Sequence, residues 1–195
     1  EVETVVRDLV ALGLKGRTIR RARVNWDRTI ASPSVAAFRR AVASKRIEDI
    51  RRRAKYIVIA LEGGSYLLVH LRMTGHLLLE PGGAPEGGSW GEYTRVVLDI
   101  DDGRRLRFSD MRTFGRLILT EDADEVLGDL GPEPLGEDFT LGRFQRMLAE
   151  RRGRIKSLLL NQRFLVGLGN IYVNEALWQA RIHPLRAANS LSSEE

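Results

Sequence analysis

The string Val166-Gly167-Leu168-Gly169-Asn170-Ile171-Tyr172 has the composition of an anion-binding turn. Two glycines permit a tight turn, and Asn170 can cap the helix that follows. A helix N-terminus presents unpaired N–H groups and the positive end of its dipole, which together can hold a phosphate. Asn170 and Tyr172 could add side-chain donors to the same oxygen. The string also reads as an ordinary glycine turn between packed helices, because helix termini that bind nothing are common. A second candidate is Lys55, which follows Arg51-Arg52-Arg53. Positive neighbours favour the neutral amine, a form suited to proton transfer. A solvated lysine at a strand edge is the other reading of it. A third is Arg151-Arg152-Gly153-Arg154-Ile155-Lys156, a basic run that marks a solvated helix start or a track for a nucleic-acid backbone.

Composition narrows the setting for this chemistry. The chain has 195 residues, a net charge of +5, 43% hydrophobic and 29% charged residues, which fits a globular protein with a real core. Of its 31 basic residues only Lys15, Lys45, Lys55 and Lys156 are lysines. The rest are arginines, whose planar fork suits bidentate phosphate contacts. A genome rich in arginine codons accounts for the same bias. No cysteine is present, so disulfides and cysteine-ligated zinc are excluded within these residues. His70, His76 and His183 show no metal-ligand spacing. No apolar run is long enough for a membrane span and no signal-peptide pattern opens the chain, so the expected compartment is the cytoplasm.

The elements that must position these residues follow from periodicity. Val2, Val5, Val6, Leu9 and Val10 share one helical face, with Gly13 as the stop. A strand is expected around Thr18 to Val24. Ser32 and Pro33 read as N-cap and first residue of a helix running to about Ser44. From Tyr56 the pattern turns to strands: Tyr56–Leu61, Tyr66–Met73, Leu77–Leu79, Arg95–Ile100, Arg105–Phe108 and Leu117–Thr120. Gly63-Gly64 and Asp102-Gly103 are turn signals between them. Pro81 to Gly91 reads as a mobile glycine-rich loop. Gly131-Pro132-Glu133-Pro134 reads as a linker, and helices are expected at Leu141–Glu150, Ile155–Gln162 and Ile171–Ala180. Ser190 to Glu195 looks like the start of another capped helix. The expected fold class is α+β: an N-terminal β-sandwich with flanking helices over residues 1–130, then a partial helical domain over 131–195.

Read as strings, these residues resemble the formamidopyrimidine-DNA glycosylase family. Gly167-Leu168-Gly169-Asn170-Ile171-Tyr172-Val173-Asn174-Glu175 is similar to the signature turn of that family's helix–two-turn–helix domain. The resemblance continues in Arg181-Ile182-His183-Pro184, Gly131-Pro132-Glu133-Pro134-Leu135, Glu1-Val2-Glu3-Thr4-Val5, Arg53-Ala54-Lys55-Tyr56, His70-Leu71-Arg72-Met73-Thr74-Gly75 and Asp110-Met111-Arg112-Thr113-Phe114-Gly115. These strings keep the family's order and spread over the whole chain.

The resemblance implies a bifunctional enzyme that removes 8-oxoguanine and formamidopyrimidines, then cuts the abasic strand by β- and δ-elimination. The family's nucleophile is the amine of an N-terminal proline, which attacks the sugar C1′ and forms an iminium; a following glutamate is the general acid. The family opens Pro-Glu-Leu-Pro and continues as this chain begins, so the chain as written is expected to lack both groups and to be inactive alone. It is expected also to lack the rest of the helical domain and the family's C-terminal zinc finger, which holds one Zn²⁺ on four cysteines.

Carried over residue by residue, Lys55 matches a catalytic lysine assigned to proton donation during β-elimination. Met73, Arg112 and Phe114 match the set that fills the hole left by a flipped base. From their own types, Met73 and Phe114 read as core. Lys156, Asn170 and Tyr172 match phosphate contacts, Arg151 and Arg152 would track the backbone, and Arg95 falls where relatives often have a DNA-contacting histidine. The implied partner is double-stranded DNA with oxidised bases or abasic sites, lying between the two domains, bound by a monomer without a redox cofactor. Two other readings remain: an endonuclease VIII-type glycosylase for oxidised pyrimidines, and a catalytically inactive module that binds damaged DNA. A general nucleic-acid binder would show equal affinity for damaged and intact duplex.

Overall fold

The computed structural model describes residues 1–82 and 91–195; most of the glycine-rich stretch expected as a loop, residues 83–90, lies outside the described residues. The chain divides into two compact units, Glu1–Glu125 and Val126–Glu195.

The first unit begins with helix α1 (Val2–Ala11) and strand β1 (Ile19–Val24), followed by β2 (Ile30–Ser32), α2 (Val35–Val42) and β3 (Ile47–Arg53). Six further strands follow: β4 (Tyr56–Leu61), β5 (Ser65–His70), β6 (Gly75–Glu80), β7 (Thr94–Ile100), β8 (Arg105–Asp110) and β9 (Arg116–Thr120). They form a four-stranded sheet in the order β1-β7-β8-β6 and a five-stranded sheet in the order β2-β9-β5-β4-β3. One core joins the two sheets: Leu77, Val96, Leu98, Leu106 and Phe108 from the first meet Ile57, Ile59, Leu67, Val69 and Leu117 from the second. Val6 and Leu9 of α1 and Phe38 and Val42 of α2 enter the same cluster. Each such side chain contributes roughly 1.5–3 kcal/mol when fully buried. The expected sandwich with flanking helices is therefore the observed one.

Local signals explain most boundaries. Helix α1 ends where Gly13, at φ 69, lets its N–H reach Val10 O and brings Leu14 N to Leu9 O. This pair of bonds closes the helix and buries Leu14 under it. The start of α2 corrects the sequence reading. Ser34, not Ser32, is the N-cap, its Oγ accepting from Ala37 N at 3.4 Å. Ser32 belongs to β2, which pairs in parallel with β9, so the chain is held extended through Ser32 before the helix can begin.

Strand β3 was not anticipated. Its buried residues Ile47 and Ile50 are three apart, because a bulge shifts the register between Ile47 and Asp49. An extra residue in a strand breaks the two-residue alternation that identifies strands from sequence. Its charged residues suit its place at the edge of the sheet.

Short helix α3 (Asp124–Leu127) straddles the division between the units, and α4 (Leu141–Ala149), α5 (Ile155–Leu160) and α6 (Asn170–Gln179) build the second. Leu148, Ile155, Leu159, Phe164, Leu165, Val173, Leu177 and Ile182 form its core. The Gly131–Pro134 segment is fastened within this unit: Gly131 N donates to Gln162 O at 2.9 Å, and Val166 N donates to Pro132 O at 3.2 Å. The capped helix expected at Ser190–Glu195 is not formed. A single 3-10 turn, Ala188–Ser190, precedes it, and Arg186 instead folds the end back through its ion pair with Glu195.

Candidate nucleic-acid interface

Lys55 sits in the two-residue turn between β3 and β4, since Arg53 and Tyr56 are still register partners. The sequence placed it at the opening of β4; the structure places it at the tip of a hairpin. Ala54 takes φ 53, a left-handed conformation that costs a non-glycine residue about 1–2 kcal/mol. Arg52 braces this turn by donating from Nη1 to Ala54 O at 3.0 Å and from Nε to the Glu3 carboxylate of α1 at 3.1 Å. The Lys55 ammonium is held below its ordinary pKa, first by partial burial and then by the Arg72 guanidinium. Repulsion between cations was the expected cause; burial is the larger one.

His70, at the end of β5, belongs to the same cluster and was not anticipated as a site residue. Its pKa falls to about 4, through burial first and then the positive charges of Arg72 and Lys55. The ring is therefore neutral near pH 7. Its Nδ1 accepts from Arg72 N at 3.0 Å, which leaves the proton on Nε2 as a donor. Tyr56 packs edge-on against it, with ring centroids 4.7 Å apart. A neutral imidazole N–H beside a lysine is suited to an anionic oxygen.

Met73, Arg112 and Phe114 are brought together although 39 residues separate Met73 from Arg112. The β5–β6 loop carries Met73, and the β8–β9 loop carries the other two. Arg112 lies over the Phe114 ring at 5.0 Å, and its Nη1 is 3.3 Å from Met73 Sδ. Met73 is 72% exposed and Phe114 is 48% exposed, so neither is the core residue its type alone would indicate. Met111, also exposed, extends the apolar surface.

Beneath them lies Asp110, which is buried. Its Oδ1 accepts from Thr74 Oγ1 at 2.5 Å and from Arg112 N at 3.1 Å; Oδ2 accepts from Gly115 N at 2.7 Å. Gly115 must be glycine, because a Cβ there would lie 2.4 Å from Phe108 Cζ. Arg95, offered as a DNA contact, is hydrogen-bonded to this group. Its Nε donates to Asp110 O at 2.8 Å, while its guanidinium sits 5.8 Å and 5.9 Å from the rings of Trp26 and Tyr93.

In the second unit, Gly169 rather than Asn170 is the N-cap of α6, and no side chain caps the helix. Asn170 is its first residue. The first N–H groups of a helix have no partner within it, so this end has the chemistry to accept an anion. Tyr172 is 71% exposed and Ile171 is 76% exposed at the same end. Gln162 shapes the turn: Nε2 donates to Leu160 O and Leu168 O at 3.1 Å and 3.0 Å, and Oε1 accepts from Gly167 N at 3.1 Å. Nothing in the sequence distinguished this glutamine. Arg151 and Arg152 lie in the segment between α4 and α5, not in a helix start; Arg151 N donates to Leu148 O, and Asn189 N and Ala188 N donate to Arg151 O and Gly153 O, all at 2.9 Å. Both arginines are exposed, and Lys156 is half-buried in the first turn of α5.

Among the described residues no cluster of His, Cys, Asp or Glu is placed to hold a metal ion. No helix among the described residues is long and apolar enough to cross a membrane.

Comparison with known proteins places these features in a family. Residues 1–117 match the formamidopyrimidine-DNA glycosylase N-terminal domain and residues 130–195 match the formamidopyrimidine-DNA glycosylase H2TH domain. The formamidopyrimidine-DNA glycosylase of Protochlamydia amoebophila is 43% identical over 192 residues, covering 98% of this chain and 68% of its own length. That of Chloroflexus aurantiacus is 46% identical over 198 residues, covering 100% of this chain and 69% of its own. Among solved structures, Lactococcus lactis Fpg in complex with DNA containing an abasic site aligns with TM-score 0.87 and 33% identity, over 100% of this chain and 70% of that one. The same protein with DNA containing FAPY-dG gives 0.87 and 32%, over 99% and 72%. By sequence over its whole length and by structure, the chain belongs to the formamidopyrimidine-DNA glycosylase family.

Proposed function

We propose that this chain is a DNA base-excision repair glycosylase for oxidised purines that also cleaves the resulting abasic strand. The observation that carries this reading is the trio Met73, Arg112 and Phe114, held exposed on two fastened loops. Exposed apolar side chains on rigid loops need a partner to bury them. A duplex with a flipped nucleotide offers a gap of the right kind: an apolar wedge stacks in the opened step, and an arginine meets the unpaired base edge.

Lys55 and His70 form a second, compact group suited to the phosphate beside the lesion. In this reading the Lys55 ammonium donates a proton to the departing phosphate oxygen as the C3′–O bond breaks in β-elimination, while the hydrogen on the carbon beside the iminium leaves as a proton to water. His70 donates from Nε2 to a phosphate oxygen. The ties from Glu3 through Arg52 to Ala54 hold the N-terminal turn of α1 to the Lys55 hairpin. A nucleophile preceding α1, as in the family, would be delivered to the same group. In the second unit, the N-terminus of α6 with Asn170 and Tyr172 takes another phosphate, and Arg151, Arg152 and Lys156 add backbone contacts. The purine preference is supported by the relatives' names and by the FAPY-dG complex.

Affinity for a duplex carrying an abasic analogue, measured against the matched intact duplex, tests this reading. A preference of about tenfold or more for the lesion is expected from stacking in the opened step. Equal affinities would leave only general electrostatic binding.

A further inference from the structure

Building on that reading, we propose that Thr74 and Asp110 are positioning residues that lock Met73 to the Arg112–Phe114 loop, so that the three side chains enter DNA as one rigid wedge. The two loops leave different strands: one joins β5 to β6 and the other joins β8 to β9. Nothing in their sequence separation obliges them to move together. The Thr74 hydroxyl provides the connection, donating to Asp110 Oδ1 at 2.5 Å and accepting from Arg112 N at 3.2 Å. Arg112 N also donates to Asp110 Oδ1 at 3.1 Å, so Thr74 and Arg112 from the two loops and Asp110 at the end of β8 close a triangle. The carboxylate is buried and receives a further bond from Gly115 N at 2.7 Å, just beyond Phe114. Its own carbonyl is fixed by Arg95.

Backbone conformation shows why a lock is needed. Arg72 and Thr113 both sit in the left-handed region, at φ 57 and 58. Each neighbours a wedge residue, and each costs a non-glycine residue energy that the chain would recover by relaxing. Charge-assisted bonds to a buried carboxylate are among the stronger hydrogen bonds available to hold such loops. A wedge that must unstack a base step gains from rigidity, because a loose one loses its own freedom on insertion. Thr74 and Asp110 touch no DNA in this account; they act through Met73, Arg112 and Phe114.

The test uses Thr74→Val, which keeps the shape and removes the hydroxyl, beside Thr74→Ser, which keeps the hydroxyl. For each protein the affinity ratio between an abasic-analogue duplex and the matched intact duplex is measured, with the thermal unfolding midpoint alongside. Thr74→Val is expected to lower the ratio about tenfold or more, the size of one charge-assisted bond, at little change in affinity for intact duplex. Thr74→Ser should stay near the parent. In a Phe114→Ala background Thr74→Val should have little further effect, because two changes acting through one wedge are not additive. An unchanged ratio in Thr74→Val overturns the proposal. So does an equal fall in the serine variant, or a parallel loss on both duplexes with a lowered midpoint, since either marks mere packing. A parent that shows no lesion preference overturns the glycosylase reading itself, and the lock with it.

Discussion

Replacing Lys55 by alanine is expected to slow strand cleavage at an abasic site by about 10²–10⁴-fold, the usual contribution of a positioned acid or base. Binding of the same duplex should weaken far less, because one phosphate contact is a small part of a basic interface. The structure supports a chemical role in three ways. The residue stands at a hairpin tip whose turn is held in a left-handed conformation by Arg52. It is partly buried beside a neutral histidine, and its pKa is lowered by that burial and by Arg72. The sign of the pH effect follows. A lysine that must donate a proton loses activity as pH rises through its pKa, and here that pKa lies below 10.5. The alkaline limb of the cleavage profile should therefore fall below that value and should disappear in Lys55→Ala. Single-turnover nicking of an abasic duplex, by the sequence preceded by the family's Pro-Glu-Leu-Pro opening, measures both. Unchanged nicking in the variant would remove Lys55 from the mechanism.

Phe114→Ala should weaken binding to an abasic-analogue duplex by about tenfold or more, from stacking worth roughly 1–3 kcal/mol per base. Affinity for intact duplex should change little, because no gap is present to fill. The thermal midpoint should hold as well, since Phe114 is half exposed and absent from the core cluster. A core phenylalanine would behave in the opposite way, costing about 3–5 kcal/mol of stability when truncated to alanine. Competition binding with the two duplexes, together with a melting curve, separates these outcomes. Loss of stability with equal affinities would return Phe114 to the core.

The sequence made the large pattern legible and hid the parts that depend on distant pairing. Apolar runs bounded by turn pairs such as Gly63-Gly64 and Asp102-Gly103 located β4, β5, β7, β8 and β9, and apolar spacing located α1 and the three main helices of the second unit, because those signals are local. Strand β3 escaped, since its bulge puts Ile47 and Ile50 at a spacing that alternation does not recognise. The start of α2 was misplaced by two residues, because the pairing of β2 with β9 claims Ser32 from the other end of the unit. At the site, Lys55, Met73, Arg112 and Phe114 could be named from strings resembling a family. Their supports could not. Asp110 and Thr74 act through bonds that cross 36 residues, and Gln162 shapes a glycine turn from outside it. His70 was weighed only as a metal ligand, although its neighbour Arg72 and the strand pairing with Tyr56 make it part of the Lys55 group. Asn170 was misread as a cap because asparagine often caps helices, whereas here the preceding glycine already adopts the extended cap conformation.

The most direct test of the central claim is borohydride trapping on an 8-oxoguanine duplex with this sequence preceded by Pro-Glu-Leu-Pro and followed by the C-terminal region of a relative. A glycosylase that opens the lesion through an amine forms an iminium that borohydride reduces to a stable protein–DNA adduct. A covalent adduct is expected on the damaged duplex and none on its intact counterpart. Absence of any adduct, with the protein folded and bound to the duplex, would contradict the glycosylase and lyase reading and leave a DNA-binding role in its place.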